Sequence, residues 1–254
     1  LGSAWPVAEE QDRGCVGRLV HVPEATAVGS GRLPSVVTVL AFAEECPPGN
    51  LVGALAERDL LWQAVPADGP LPPDPAMVVV LGGPQGAYEE SQYPYLGAVK
   101  AWLRGLVASG VPVLGICLGA QLLADSLGGR AFRAPVREVG FLPVEVVDPT
   151  DPLAPFLAGR WVLVHQDTYT LPDGATLIAR SAYPAAFRLG SAVGLQMHPE
   201  ADRAIVAGWL GREGGPSSWT ETDADGLMMD LDAAGTDLIV RGEALIGAWL
   251  DEVG

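Results

Sequence analysis

The segment from residue 111 to residue 127 constrains this chain more than any other. An apolar run over 111–116 meets Cys117, which stands between Gly115 and Gly119, and a helix-patterned stretch begins at once. A strand that turns directly into a helix needs small residues where backbone crowds backbone. Two glycines around a nucleophilic side chain meet that need, in the cysteine form of the Gly-x-nucleophile-x-Gly elbow. Such an elbow lifts the Cys117 sulfur out of the sheet and points the N-terminus of the next helix at it. The positive end of the helix dipole favours thiolate over thiol. A free cysteine is otherwise a small buried hydrophobe, so the elbow alone leaves that alternative open.

A second segment, Gly194-Leu195-Gln196-Met197-His198-Pro199-Glu200, narrows the choice. A cysteine nucleophile needs a base within hydrogen-bond reach, and the base needs an orienting partner. His198 ends another apolar run, 191–197, so it can project from the same sheet edge as Cys117. Glu200 follows two residues later, with Pro199 stiffening the link. The chain has only three histidines, at positions 21, 165 and 198. A His-x-Glu pair at a strand end is hard to explain as packing. The pattern predicts a catalytic triad of Cys117, His198 and Glu200.

The pair of motifs Gly115-Ile116-Cys117-Leu118-Gly119 and Gln196-Met197-His198-Pro199-Glu200 resembles the class I glutamine amidotransferase family, whose triad is Cys-His-Glu. The similarity is greatest to small stand-alone members related to the amidotransferase domain of GMP synthase, and it covers roughly residues 35–252. Leu81-Gly82-Gly83-Pro84, after the apolar run 77–80, is similar to the family's oxyanion loop. Val164-His165-Gln166-Asp167-Thr168 resembles its His-Gly-Asp-Thr segment, and 186–188 falls where the family has a similar strand. The resemblance implies attack by Cys117 on the side-chain amide carbon of L-glutamine, giving a glutamyl thioester. The backbone N–H groups of Gly83 and Leu118 would hold the oxyanion. His198 would protonate the departing ammonia, and water would then release glutamate.

The same resemblance makes Gly82, Gln121, His165, Gln166 and Asp167 substrate-binding candidates. Gln121, one turn along the elbow helix, would meet the backbone groups of glutamine, and Asp167 its ammonium. Plainer readings stand beside these: Gln121 as a polar residue on a helix surface, Asp167 as a turn former before a strand, His165 as a satisfied histidine at a strand end. His165 is not read as the base, because His198 fills that role. The sequence also departs from the family pattern. Met197 stands where an aromatic residue is common. Gln166 replaces a glycine and places a long polar side chain at the mouth of the expected pocket. Cys46, on the loop after the first strand, reads as incidental.

Strand and helix patterns alternate along the chain: strand 35–43, helix 50–58, strand 60–65, a proline-rich connection 66–75, strand 76–81, helix 95–109, then the elbow strand and its helix. Buried apolar strands separated by helices predict an α/β fold, a mostly parallel sheet with helices on both faces. Sites in such sheets gather at the carboxyl ends of strands, where Gly82, Cys117 and His198 all fall. After a Gly128-Gly129 stop signal, 136–147 reads as antiparallel β, and 161–164, 176–181 and 186–189 as short strands. These form a small antiparallel addition to the flavodoxin-like amidotransferase fold that the resemblance implies. Two helical patterns occupy 221–253. Residues 1–34 fit no pattern and are expected to be a poorly ordered N-terminal extension, with 35–254 as the amidotransferase-like domain.

Composition excludes several functions. A net charge of −16 argues against nucleic acid, since phosphate binding needs clustered Lys and Arg. No apolar stretch approaches the ~20 residues that cross a bilayer, and no signal pattern opens the chain. Three cysteines without framework spacing fit a reducing cytoplasm. No Cys-x-x-Cys pair or histidine cluster suggests a metal, and no cofactor is expected. Nor is a glycine-rich phosphate loop or a second, ammonia-consuming domain visible. The primary reading is therefore a glutaminase that passes ammonia to a synthetase on another chain. Alternatives are a self-sufficient hydrolase or transferase acting on a γ-glutamyl small molecule, and a non-catalytic scaffold. A cysteine-elbow protease or chaperone is disfavoured by the His-Pro-Glu pattern.

Overall fold

The computed structural model describes residues 36–210 and 221–254; the N-terminal extension lies outside the described residues. The elements run β1 (Val36–Ala41), α1 (Asn50–Ala56), β2 (Leu61–Pro66), β3 (Met77–Val80), α2 (Tyr95–Ala108), β4 (Val113–Ile116) and α3 (Leu118–Ser126). There follow β5 (Arg130–Val146), α4 (Ala154–Leu157), β6 (Gly159–Thr170), β7 (Thr176–Arg180), β8 (Pro184–Leu189), β9 (Ala192–Leu195), α5 (Arg203–Leu210), α6 (Glu221–Ala234) and α7 (Asp237–Val253). The nine strands form one sheet in the order β2-β1-β3-β4-β9-β8-β7-β5-β6.

The central strands are short and consist of apolar or small residues throughout. Met77–Val80, Val113–Ile116 and Ala192–Leu195 are buried throughout, as expected of parallel strands covered on both faces. One face carries Val37, Val39, Val79, Leu114, Ile116 and Leu195 against Leu51 and Leu55 of α1 and Leu245, Ile246 and Trp249 of α7. The other carries Leu40, Val78, Val80 and Val113 against Leu96, Val99 and Leu103 of α2 and Leu122 and Leu123 of α3. Burying a full aliphatic side chain is worth about 1.5–3 kcal/mol, so these two layers supply the main force holding the helices to the sheet.

The expectation of a mostly parallel sheet is corrected: the sheet is mixed. β2, β1, β3, β4 and β9 pair in parallel, whereas β9-β8, β8-β7, β7-β5 and β5-β6 are antiparallel. The antiparallel part is also larger than a small addition, since β5 spans 17 residues and β6 spans 12. Antiparallel neighbours need only short turns rather than helical crossovers, so the strands after α3 extend the sheet without the apolar–helix–apolar signature that marks its first half. β5 begins six residues before the predicted strand because 130–133 pairs with 167–170 beyond an irregularity in register between Arg133 and Glu138.

Positions of the chain's direction changes place the site. From β1 the chain moves to β2 on one side, then crosses to β3 on the other, so the strand order reverses between β1 and β3. Open α/β sheets bind ligands at the carboxyl ends of strands beside such a point. Three loops leave that edge near one another: 42–49 after β1, 81–94 after β3 and the elbow after β4.

Candidate active site

The elbow is as tight as its glycines require. A Cβ on Gly115 would lie 2.5 Å from the Gly119 carbonyl oxygen, and one on Gly119 would lie 2.2 Å from that of Val80. Cys117 itself has φ 52 and ψ −107, a conformation that L side chains rarely adopt. Strain of this kind is retained where surroundings overdetermine it, and it clusters at functional sites. The Cys117 N–H donates to the Leu195 carbonyl at 2.8 Å, which pins the elbow to β9, the strand leading to His198. Cys117 is 7% exposed: shielded, yet reachable.

His198 and Glu200 form a buried pair. Nδ1 lies 2.7 Å from Glu200 Oε1, with the two side chains only 5% and 3% exposed. Burial works against charge on the His198 ring. The Glu200 carboxylate and the Cys117 sulfur outweigh it and hold the ring protonated well above its ordinary range. The remaining ring nitrogen, Nε2, is buried and makes no hydrogen bond among the described residues. Trp209 of α5 stacks obliquely on the ring, with centroids 4.8 Å apart, and is itself anchored by its indole N–H donating to the Glu45 carbonyl at 2.7 Å. The backbone of the pair is tied down as well. Asn50 donates from its backbone N–H to the Glu200 carbonyl at 2.9 Å and from its side chain to the Pro199 carbonyl at 3.0 Å.

Gly82 joins the two halves of the site. A Cβ there would lie 3.3 Å from His198 Cε1 and 3.5 Å from Cys117 Cβ, so the loop after β3 passes directly over both. Gly83 is packed as closely, its missing Cβ falling 2.9 Å from Leu118 Cδ2 and 2.7 Å from Gln85 Oε1. Leu118 opens α3, so its N–H is one that no intrahelical carbonyl can reach. The structure therefore brings Gly82, Gly83, Cys117, Leu118, His198 and Glu200 to one place.

The substrate-binding candidates divide. Gln121 is buried within the protein, not on a helix surface: its Nε2 donates to the Asp167 carbonyl at 3.1 Å and to Gln196 Oε1 at 3.3 Å. His165 has both ring nitrogens occupied, Nδ1 by the Asp167 carbonyl at 2.9 Å and Nε2 by Glu138 at 3.0 Å. Burial works against charge on Glu138, but hydrogen bonds from His165, Ser181 and the Ala182 N–H hold it below the usual carboxylate range. Neither His165 nor Asp167 lies at a turn or strand end; both sit within β6. Asp167 is half-buried and accepts from the Tyr88 hydroxyl at 3.2 Å. Burial pushes its carboxyl up, against the pull of Tyr88 and Arg133. Gln166 is half-buried between them, opposite the irregular stretch of β5, and side chains adjacent along a strand face opposite ways. It thus does not share the direction of Asp167.

Several neighbours escaped the sequence reading. Gln196 Nε2 lies 3.6 Å from Cys117 Sγ. Tyr169 is buried in β6, its hydroxyl without a hydrogen-bond partner among the described residues, and burial together with charge at Cys117 pushes its pKa upward. Tyr88 had a usable signal, since it follows Gly83 on the same loop. Trp209 had none, because only the packing of α5 against the sheet brings it to His198. Among the described residues, no group of three His, Cys, Asp or Glu side chains is placed to hold a metal ion.

A GMP synthase [glutamine-hydrolyzing] of Thermomicrobium roseum is 39% identical over 131 residues, covering 50% of this chain and 23% of the relative. That of Aeropyrum pernix is 37% identical over 162 residues, covering 59% and 30%. This chain thus spans less than a third of the length of these relatives. A glutamine amidotransferase structure from Thermotoga maritima superposes with a TM-score of 0.77 at 26% identity, covering 87% of this chain and 99% of that one. One from Methylobacillus flagellatus gives 0.75 at 26%, covering 87% and 95%. The family model described as glutamine amidotransferase class-I matches residues 49–204, and the chain belongs to that family.

Proposed function

We propose that this chain hydrolyses the side-chain amide of L-glutamine through a Cys117 thioester and releases ammonia to an acceptor enzyme. The observation that carries the proposal is the buried 2.7 Å His198–Glu200 pair facing a cysteine held at a strained elbow. His198 Nε2, without a hydrogen-bond partner among the described residues, takes the Cys117 proton and keeps it as the imidazolium that Glu200 stabilises. The thiolate attacks the amide carbon, and the negative oxygen of the tetrahedral intermediate lies against the N–H groups of Gly83 and Leu118. Because those donors are backbone fixed by the elbow and the glycine loop, they need not reorganise as charge develops. The imidazolium gives its proton to the leaving nitrogen, the C–N bond breaks and ammonia departs. Water, deprotonated by the same ring, then cleaves the C–S bond and frees glutamate. Glu200 keeps the ring oriented and stabilises its charged form throughout.

Asp167 suits the substrate's α-ammonium, since a half-buried carboxyl whose burial disfavours its charge gains from an incoming cation. The relatives similar to this chain are named glutamine-hydrolyzing GMP synthases and are more than three times its matched length, which supports an acceptor enzyme as partner here. A γ-chloroketone analogue of glutamine tests the site reading. It should alkylate Cys117, with L-glutamine protecting; labelling that spares Cys117, or that glutamine does not slow, would contradict it.

A further inference from the structure

Gln196 is fully buried, and its carboxamide touches the Cys117 sulfur. We propose that Gln196 is a further catalytic residue, whose side-chain N–H donates to the Cys117 thiolate, and that a hydrogen-bond relay starting at the Asp167 backbone carbonyl fixes its orientation. The proposal rests on reading Cys117 as the nucleophile.

The argument turns on polarity. A carboxamide has a donor end and an acceptor end that look alike in shape, and its neighbours decide which way it faces. The Asp167 carbonyl can only accept, so the Gln121 group 3.1 Å from it must be the NH2. That same NH2 lies 3.3 Å from Gln196, which therefore must present its oxygen. With the oxygen committed to Gln121, the other end of the Gln196 amide, 3.6 Å from Sγ, is the NH2. Turning Gln196 over would set two NH2 groups against each other and an oxygen against the thiolate. Turning Gln121 over would set its oxygen against a carbonyl. Every link is thus referred back to a main-chain oxygen that cannot rotate, itself held in β6 and also accepting from His165 Nδ1 at 2.9 Å.

A donor of this kind has a chemical purpose. The sulfur is shielded from water, and a buried anion without hydrogen bonds is strongly disfavoured. The α3 N-terminus, the His198 ring and the Gln196 N–H are the three groups at hand to hold the negative charge. Of these, Gln196 is the neutral side chain, so its donor to the thiolate does not depend on where the His198 proton lies. The relay also links substrate seating to nucleophile readiness, because Asp167 offers its carboxylate to the ligand and its carbonyl to Gln121.

Alkylation of Cys117 by iodoacetamide over a range of pH, followed by mass spectrometry of the Cys117 peptide, tests this in the whole chain without substrate. Gln196→Met keeps length and volume but has no donor; it should slow alkylation near neutral pH about tenfold and move the midpoint of the pH profile upward. Gln121→Leu, which leaves Gln196 in place, should move the midpoint the same way. The double variant should go no further than Gln196→Met. A role in packing alone would scale the rate equally at every pH, and an unmoved midpoint in folded Gln196→Met overturns the proposal. If Gln196→Met does not fold, an unmoved midpoint in Gln121→Leu overturns it. Shifted midpoints in a chain that releases no ammonia from glutamine would uphold the relay and remove the proposed function. Glutamine turnover with unmoved midpoints would do the reverse.

Discussion

Replacing Glu200 by Gln isolates what the carboxylate does for His198. The amide has the shape of the carboxylate and can still accept the Nδ1 hydrogen, so the ring keeps its place while the negative charge disappears. The pair sits at 2.7 Å with both side chains 5% exposed or less, so solvent screens little of the change. A hydrogen bond to a charged group contributes about 1.5–3 kcal/mol and a neutral one about 0.5–1.5 kcal/mol. The difference, about 1–2 kcal/mol, corresponds to roughly a 5- to 30-fold fall in kcat. His198→Ala removes the acid and base altogether and should cost about 10²–10⁴. The pH profile should change in a definite sense. Glu200 is among the groups that hold the imidazolium above its ordinary range; without it, the ring loses its proton at lower pH. Protonation of the departing ammonia then fails sooner, and the alkaline limb of kcat moves to lower pH. Glutamate release at saturating glutamine, measured across pH for the three proteins, checks both statements. Glu200→Gln as inactive as His198→Ala, or an alkaline limb displaced to higher pH, would refute the division of roles.

Two further outcomes are expected. Gly119→Ala puts a Cβ 2.2 Å from the Val80 carbonyl oxygen, so α3 must back away from β3; urea unfolding should show a loss of about 1–3 kcal/mol, and an unchanged midpoint would contradict the packing described. Asp167→Asn removes the charge proposed to meet the ammonium of glutamine, and KM for glutamine should rise about tenfold or more with kcat far less affected; an unchanged KM would reassign the residue to holding Tyr88.

The parallel half of the fold and the proximity of Cys117, His198 and Glu200 were legible because both are written locally. A four-residue apolar strand, a glycine on each side of Cys117, and His198 two residues from Glu200 are all short-range patterns, and the topology rule for parallel sheets brings them to one edge. What was not legible depends on pairing between distant segments. The start of β5 carries Arg130 and Arg133 among its apolar residues, so no continuous run announces it, and only pairing with β6 extends it. The plainer reading of Asp167, a turn former before a strand, fails for the same reason: its place inside β6 is set by Arg133 across the ladder. The mixed sheet follows from these pairings. Gln196 was visible in its motif, but its contact with the sulfur depends on Gln121 and Asp167, which lie 75 and 29 positions away in the chain.

Release of ammonia and glutamate from L-glutamine by the purified chain, beside Cys117→Ala, tests the central claim most directly. The account predicts equimolar products from the parent chain and none from a folded Cys117→Ala variant. Continued hydrolysis by that variant would show that Cys117 is not the nucleophile.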